Sequence, residues 1–298
     1  LALWRHRQVL RMLVLRDLQR QYTKFRLGYL WTLIEPLGMA VVLWLVFSLL
    51  LGPRKLGLTP YLLFLSVAIL PWWWFTKGVA SMVRVFQKNR AQLRNSVLPT
   101  ELWVLRVLLV STMEFVLSLP VIVVGVILTR DLPTWLIVLF PVGFLLQFLL
   151  MYGIGLLVSS WAVVVPDLAR IVRIVMRAAF YLTPVLYSIM NIPSAFRPYA
   201  ALNPLVAPLG LYRVGWWPEE HESMNAFFVS LGVGIAIMII GYITFRRLEP
   251  RILILDEATS SLDSRQVARL FQLVADRKAQ GYATIFVSHR MDEFFRIS

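Results

Sequence analysis

Residues 16–36 read RDLQRQYTKFRLGYLWTLIEP, and an apolar run without further charge continues through Leu51. Within a few residues the stretch passes from a cationic, amphipathic sequence to one as long as a bilayer core. About 20 apolar residues in a helix cross that core. The stretch therefore predicts the entry of the chain into a membrane, and the sequence repeats this pattern up to about Glu249.

The composition favours a polytopic membrane protein. Of 298 residues, 59% are hydrophobic and 15% are charged, whereas a soluble domain carries about 25% charge. The net charge of +14 is divided into short clusters between apolar runs, which is typical of topology determinants and anionic-lipid contacts rather than of a nucleic-acid surface. The absence of cysteine excludes disulfides and a cysteine nucleophile.

The first 28 residues are predicted to form an amphipathic helix in the cytoplasmic interface. At about 100° per residue, their apolar and basic side chains separate onto two faces. The apolar face carries Leu3, Leu10, Val14, Leu18 and Tyr22. The basic face carries Arg5, Arg16, Arg20 and Lys24. A solvated basic tail is the alternative.

Residues 29–249 are predicted to form six membrane spans, at about 29–51, 61–79, 102–128, 135–165, 178–196 and 227–245. A further uncharged run at 192–212 is broken by prolines. It either crosses the membrane or forms a re-entrant segment that returns to the same side. With six spans, inner segments hold about 16 Lys and Arg and outer segments about five, as the positive-inside rule favours. Residues 192–212 are therefore predicted to be re-entrant, with both termini cytoplasmic.

Two acidic residues lie in the predicted spans. Glu114 is in the middle of the third span, so its side chain should face the bundle or be protonated. Arg106 is its predicted partner, and a polar clasp between helices is favoured over a substrate contact. Glu35 precedes Pro36 and is predicted to reach the interface.

Three consecutive tryptophans, Trp72, Trp73 and Trp74, lie in the second span. Tryptophan is enriched where a helix leaves the bilayer, so the first interpretation is an interface anchor. The alternative is a path on which sugar rings stack.

The order of these features resembles the permease subunits of ABC-2-type polysaccharide exporters over about residues 1–249. The matching strings are RDL at 16–18, LGYLW at 27–31 leading to Glu35-Pro36, PDL at 166–168, TPV at 183–185 and NPL at 203–205 before Arg213. The resemblance implies an all-α membrane protein with six spans, an amphipathic amino-terminal helix and a re-entrant hairpin before the last span.

The resemblance also implies partners and site residues. Two copies would form a channel in a bacterial cytoplasmic membrane, dock on two ABC ATPase subunits that bind ATP and Mg²⁺, and export a lipid-linked glycan. The implied docking residues are Arg16, Asp17, Arg20, Arg84, Arg94, Asp167, Arg170 and Arg173. The implied channel or bundle residues are Glu35, Trp72, Trp73, Trp74, Glu114, Pro184, Asn203 and Arg213.

Residues 250–298 resemble a different protein, the distal half of an ABC ATPase. ILILDE at 252–257 is typical of a Walker B strand, and a D-loop, a polar helix from about Ser264 and a strand at 283–287 follow. By this resemblance Asp256 and Asp263 would contact Mg-ATP, Glu257 would position the attacking water, and His289 would reach the γ-phosphate.

This tail lacks the parts that would complete an ATPase. A phosphate-cradling P-loop ends in Gly-Lys, and no glycine of the chain is followed by Lys or by Gly. Three interpretations are open: a natural fusion that completes an ATPase in trans, a degenerate remnant, or an artificial joining of a permease to a segment of its ATPase partner. We favour the joining.

Three other functions compete with polysaccharide export. An ABC-2-type drug or lipid exporter would share the same architecture. A membrane glycosyltransferase or polymerase would need acidic catalytic residues, and the spans offer only Glu114 and Glu35. A scaffold that transports nothing is the third.

Overall fold

The computed structural model describes residues 6–23, 27–50, 61–89, 92–93, 99–165, 167–220, 224–248, 252–256, 272, 276 and 283–287. The predicted residues Arg94, Glu257, Asp263 and His289 lie outside these ranges.

Helices dominate the first 248 residues. The α-helices are α1 (Arg7–Tyr22), α2 (Trp31–Leu50), α3 (Tyr61–Val83), α4 (Val85–Lys88), α5 (Thr100–Ser118), α6 (Pro120–Thr129), α7 (Phe140–Val164), α8 (Leu168–Leu182), α9 (Arg197–Ala200), α10 (Val206–Arg213) and α11 (Met224–Leu248). Short 3-10 helices cover Gly28–Leu30, Trp135–Leu139, Ile189–Asn191 and Pro218–Glu220.

The helices of the described residues confirm the predicted all-helical membrane fold. Four stretches are long and apolar enough to span a bilayer, namely Tyr61–Val83, Thr100–Thr129, Trp135–Val164 and Met224–Leu248. Helix α2, at the predicted first span, is apolar over the shorter stretch Trp31–Val46, and α8 has 15 residues. The third pass is interrupted between Ser118 and Pro120, because a proline nitrogen cannot donate a helical hydrogen bond.

The predicted bounds of the fifth span, 178–196, are wrong. Helix α8 begins at Leu168 and ends at Leu182. Thr183 has the extended backbone (φ −100°, ψ 135°) that a following proline imposes on the residue before it. Pro184 therefore ends the helix, and the helix includes the basic residues that were predicted to precede the span.

Residues 183–220 contain no helix long enough to span a bilayer, as the predicted re-entrant segment requires. They form short helices, and α10 packs against α3, α7 and α11. On the same side the Thr134 amide donates to the Gly215 carbonyl at 2.6 Å. Neighbouring helices thus cover a broken backbone, as a lipid environment requires.

Helix α3 is the centre of the bundle and packs against α2, α5, α6, α7, α8 and α10. In the most apolar 18-residue stretch of α3, 78% of the residues are buried, whereas the corresponding share for α11 is 11%. A helix that is hydrophobic on all sides belongs in a core. Helix α11 instead packs along α7, where Gly153 and Gly241 meet and allow the close backbone approach typical of membrane helices.

One side of the bundle carries α1, α4, the starts of α5 and α8, and the end of α11, and we call it the amino-terminal face. Arg246 of α11 bridges Glu101 of α5 there at 2.9 Å. The Gln87 side chain donates to the Ala162 carbonyl at the end of α7 at 3.2 Å.

The tail contains two parallel strands, β1 (Ile252–Asp256) and β2 (Ala283–Val287). Ile252 pairs with Ala283, and Asp256 pairs with Val287. Both predicted strands are therefore confirmed. Between them, the described residues Gln272 and Asp276 are helical.

Candidate functional site

Helix α1 is fastened to α5 by a bidentate ion pair. The Arg106 Nε and Nη2 atoms donate to the two Asp17 carboxylate oxygens, each at 2.6 Å. Arg106 Nη1 also donates to Gln92 Oε1 at 3.3 Å, and the guanidinium lies 5.0 Å from the centre of the Trp103 ring. The Arg106 side chain is only 5% exposed, so this charge-assisted pair holds α1 against the bundle.

The predicted Arg106–Glu114 pair is wrong. Helix side chains tilt toward the amino-terminal end of their helix, so Arg106 of α5 reaches toward α1 at the amino-terminal face. Glu114 lies two turns farther along the same helix. Hydrogen bonds to the Glu114 carboxylate come from Tyr22 and Gln21 at the end of α1.

Helix α1 buries part of its predicted apolar face, although Met12 and Leu15 on the same helix are exposed. Val14, Leu18 and Tyr22 are buried, while Arg16 and Arg20 are exposed. The Arg16 guanidinium makes two long contacts, 3.4 Å to Gln92 Oε1 and 4.0 Å to Asp17 Oδ1. Leu10 is half-buried, and the remaining predicted positions, Leu3, Arg5 and Lys24, lie outside the described residues.

A groove of about 1140 Å³ lies between α1, α2, α3 and α5. We call it the mixed-charge groove, because both signs line it: Asp17, Arg20, Glu35, Lys77, Lys88, Arg106 and Glu114. Lys77 Nζ bonds to Glu35 Oε2 at 2.8 Å and lies 5.1 Å from the centre of the Trp73 ring. The groove thus places the two acids of the predicted spans together with their partners.

Lys77 was missed by the sequence analysis. It lies inside the predicted second span, and an ionisable side chain in a span marks a functional or pairing position. That signal was present in the sequence and would have identified Lys77 as a partner for a nearby carboxylate.

The interface-anchor interpretation is wrong for Trp72 and Trp74. Both are buried in the middle of α3. The Trp74 ring stacks between Phe115 at 4.7 Å and Phe144 at 5.0 Å. Trp73 is half-buried and lies between two cavities, the mixed-charge groove and the cavity described next. The three indoles differ because consecutive helical residues point in directions about 100° apart.

A second cavity, of about 740 Å³, lies between α3 and α8 and is closed at one side by Met39 of α2. We call it the cationic cavity, because five basic residues line it: Lys77, Arg84, Lys88, Arg173 and Arg177. None of its described lining residues is acidic. Two of the predicted docking residues, Arg84 and Arg173, therefore meet in one place. Asp167 and Arg170 form an exposed pair at 3.5 Å outside that lining.

On the side opposite the amino-terminal face, Arg213 connects the end of the re-entrant segment to its beginning. Its Nη1 donates to the Pro184 carbonyl at 2.6 Å, and its Nη2 donates to the Val185 carbonyl at 2.7 Å. The guanidinium lies 3.6 Å from the centre of the Phe64 ring, and Arg213 is 1% exposed. This arrangement uses the donors of Arg213 to hold the chain after α8.

Asn203 makes a second link in this segment. Its side-chain amide donates to Thr183 Oγ1 at 2.8 Å, and its Oδ1 accepts from the Leu205 amide at 3.1 Å. The Asn203 carbonyl accepts from Ser230 of α11 at 3.0 Å. Pro184, Asn203 and Arg213 are thus brought together, as structural contacts of the re-entrant segment.

The predicted nucleotide and metal contacts fall almost entirely outside the described residues. The described residues contain no cluster of three or more His, Asp or Glu side chains arranged for a metal ion. Asp256 is at the end of β1, but the sequence has no glycine-lysine pair to cradle a phosphate.

Comparisons with known proteins match both parts of the sequence. The family described as ABC-2 type transporter matches residues 8–217. The O-antigen export system permease protein RfbA of Myxococcus xanthus is 31% identical over 79% of this chain and 90% of that protein. The polysialic acid transport protein KpsM of Escherichia coli is 25% identical over 76% of this chain and 90% of that protein. A 47-residue segment is 55% identical to the arabinose import ATP-binding protein AraG 1 of Burkholderia cenocepacia, over 16% of this chain and 9% of that protein.

Proposed function

Because this chain belongs to the ABC-2 type transporter family, we propose that it is the permease subunit of an ATP-driven exporter that moves a lipid-linked polysaccharide across the bacterial cytoplasmic membrane. The observation that carries the proposal is the similarity to polysaccharide permeases along nine tenths of their length. The helical passes and the cavities that reach the amino-terminal face support it.

We propose that the working unit is a homodimer docked on two ABC ATPase subunits, which hold ATP and Mg²⁺. The amino-terminal face would be cytoplasmic, because basic residues concentrate there. The docking surface would consist of Arg16, Arg20, Asp167 and Arg170, which are exposed on that face, and would include Arg94. Asp17, Arg84 and Arg173 were predicted with them, but Asp17 pairs with Arg106 and the other two line the cationic cavity. Nucleotide binding closes the ATPase pair, and that movement acts on this surface.

The Asp17–Arg106 pair supports a route for coupling. A displacement of α1 by the ATPase would be transmitted to α5 through the buried guanidinium. Through Tyr22 and Gln21 the same displacement would reach Glu114, and through the groove it would reach the Glu35–Lys77 pair. The residues of this chain therefore transmit movement and line the path, while bond cleavage takes place on the partner.

The proposed domain organisation is an interface helix over 1–28, a transmembrane domain over 29–249 and an ATPase-like segment over 250–298. The parallel pairing of β1 and β2 and the 47-residue match to an ABC ATP-binding protein support the last assignment. We propose that this segment derives from the ATPase partner. Intact mass spectrometry of the subunit purified from its native source tests this, and a mass of 34.3 kDa would show that the segment belongs to the natural chain.

Transport in reconstituted vesicles tests the main proposal. The chain and its co-purified ATPase are placed in liposomes, with a polyprenyl-linked glycan on the outside and ATP supplied there. We expect ATP-dependent movement of the glycan into the lumen. Export of a hydrophobic drug or a phospholipid without the glycan would assign the chain to the other exporter class. Glycan synthesis that Glu114→Gln abolishes would assign it to the polymerases, and absence of any transport would leave the scaffold.

Cysteine labelling tests the orientation, because the chain contains no cysteine. A single cysteine at Thr134 should react with an impermeant maleimide added to intact cells. A single cysteine at Ala169 should react only after the membrane is opened. External labelling at Ala169 would invert the proposed topology.

A further inference from the structure

The cationic cavity has a regular origin in the sequence. On α3 and α4, Lys77, Ser81, Arg84 and Lys88 follow one another at helical spacing and are exposed. On α8, Arg173 and Arg177 are four residues apart and also exposed. Residues three or four apart share a helix face, so two basic stripes face each other across the space between α3 and α8.

The charges in this cavity are not balanced within the described part of the chain. Lys77 has a carboxylate partner, Glu35, at 2.8 Å. For Arg84, Lys88, Arg173 and Arg177, no carboxylate of the described residues lies within 4.0 Å. Like charges held together beside an apolar bundle repel one another, and an anion between them would remove that repulsion.

The other end of the cavity is aromatic. The Trp72 and Phe180 rings lie 5.6 Å apart, and Phe180 contacts Tyr181 at 5.4 Å. Because α3 runs toward the amino-terminal face and α8 runs away from it, Arg84, Lys88 and Arg173 lie near that face. The aromatic residues lie deeper. The cavity is therefore amphipathic along its length, with its charge toward the amino-terminal face and its aromatic rings farther from that face.

We propose that the cationic cavity binds the phosphate- or diphosphate-bearing headgroup of an amphiphile, with the anion between Arg84, Lys88, Arg173 and Arg177. The adjoining apolar or sugar portion lies against Trp72 and Phe180. A volume of about 740 Å³ is within the range of small-molecule sites, about 300–1000 Å³. Guanidinium groups suit this role, because their planar donors match phosphate oxygens. The identification of this amphiphile as the export substrate rests on the proposed function.

Equilibrium binding to the full chain, in nanodiscs of phosphatidylcholine and with its co-purified ATPase, tests the inference. The probes are farnesyl diphosphate, farnesol and inorganic diphosphate, and phosphatidylglycerol is tested as a competitor. We expect farnesyl diphosphate to bind, farnesol to bind weakly, and Arg173→Gln/Arg177→Gln to weaken diphosphate binding about 100-fold, because two charge-assisted hydrogen bonds are lost.

The matched control is Arg11→Gln/Arg247→Gln. Both residues are exposed and line neither cavity. Their substitution removes the same total charge as the cavity variant. Binding that this control weakens as strongly as the cavity variant would reduce the effect to general surface charge and overturn the proposal. Loss of the dimer in the cavity variant would also overturn it, because the basic face of α8 would then belong to a subunit interface.

The probes separate the possible sources of the headgroup. Competition by phosphatidylglycerol at equal concentration would assign the cavity to bilayer lipid and overturn its assignment to substrate. Selective binding of farnesyl diphosphate supports the substrate assignment. Binding of inorganic diphosphate that the cavity variant weakens supports the position of the anion. Binding is measured independently of transport. If the wild-type chain transports and the cavity variant binds normally, this inference is refuted and the proposed function remains intact.

Discussion

Arg106 and Arg213 differ from Arg173 and Arg177 in how the fold uses their charge. The first two are buried, and carboxylate oxygens, carbonyl oxygens and aromatic rings surround them. The second two are exposed along α8 and face a cavity. A buried cation must have all its partners inside the protein, so Arg106 and Arg213 serve the structure, whereas Arg173 and Arg177 can bind something else.

The two cavities on either side of α3 show the same difference. In the mixed-charge groove, acids and bases lie together, and two ion pairs connect α1 to α5 and α2 to α3. In the cationic cavity the bases face one another. We conclude that the groove is suited to holding helices in register and the cavity to holding a ligand. Three substitutions test this division.

Asp17→Asn should have the largest effect on stability. It leaves the Arg106 guanidinium buried without a counter-charge, and breaking such a pair costs about 3 kcal/mol of unfolding free energy. The measurement is unfolding by dodecyl sulfate in mixed micelles. Asp167→Asn is the matched control, since Asp167 also pairs with an arginine but is 73% exposed; it should change stability by less than about 0.5 kcal/mol. Equal losses for the two variants would show that burial of Arg106 is not what matters.

Arg213→Lys should have an intermediate effect. Lysine keeps the charge but cannot donate in a fork to the Pro184 and Val185 carbonyls, and we expect a loss of about 2 kcal/mol. Arg197→Lys provides the comparison, because Arg197 also donates to two carbonyls, those of Ile192 and Met190, each at 2.9 Å, but is less buried. A smaller loss at Arg213 than at Arg197 would contradict the role given to the buried fork.

Glu35→Gln should have the smallest effect. The Glu35 and Lys77 side chains are 55% and 48% exposed, and exposed ion pairs contribute less than about 1 kcal/mol. A double-mutant cycle with Lys77→Gln isolates the coupling between the two side chains. That coupling should shrink in high salt. A coupling that salt leaves unchanged would place the pair in a drier environment than the groove provides.

Much of the architecture followed from local patterns. Apolar length predicted the helical passes, and the proline-rich composition of residues 192–212 predicted a segment that does not cross. The error at the fifth span concerns its start, which was predicted after the basic residues Arg173 and Arg177, although both lie inside α8. Helix ends are harder to predict, because one proline at 184 outweighs the hydropathy of the residues around it.

The side-chain partners were predicted less well. Glu114 and Arg106 lie on one helix at a spacing that allows a pair, but Asp17 lies 89 positions from Arg106 in sequence and wins the contact. Trp72, Trp73 and Trp74 are identical in type, yet neighbouring helices bury two of them and leave the third facing two cavities. Such outcomes depend on the rotation of each helix against its neighbours.

The sequence by itself determined that the first 248 residues form membrane helices behind an amphipathic segment, because hydrophobic length and periodicity are local properties of a chain. It also determined that residues 252–256 and 283–287 are strands. Only the tertiary structure decided which cations are paired, which are buried and which face a cavity. Charge interactions depend on distance and burial, and both arise when helices far apart in sequence pack together.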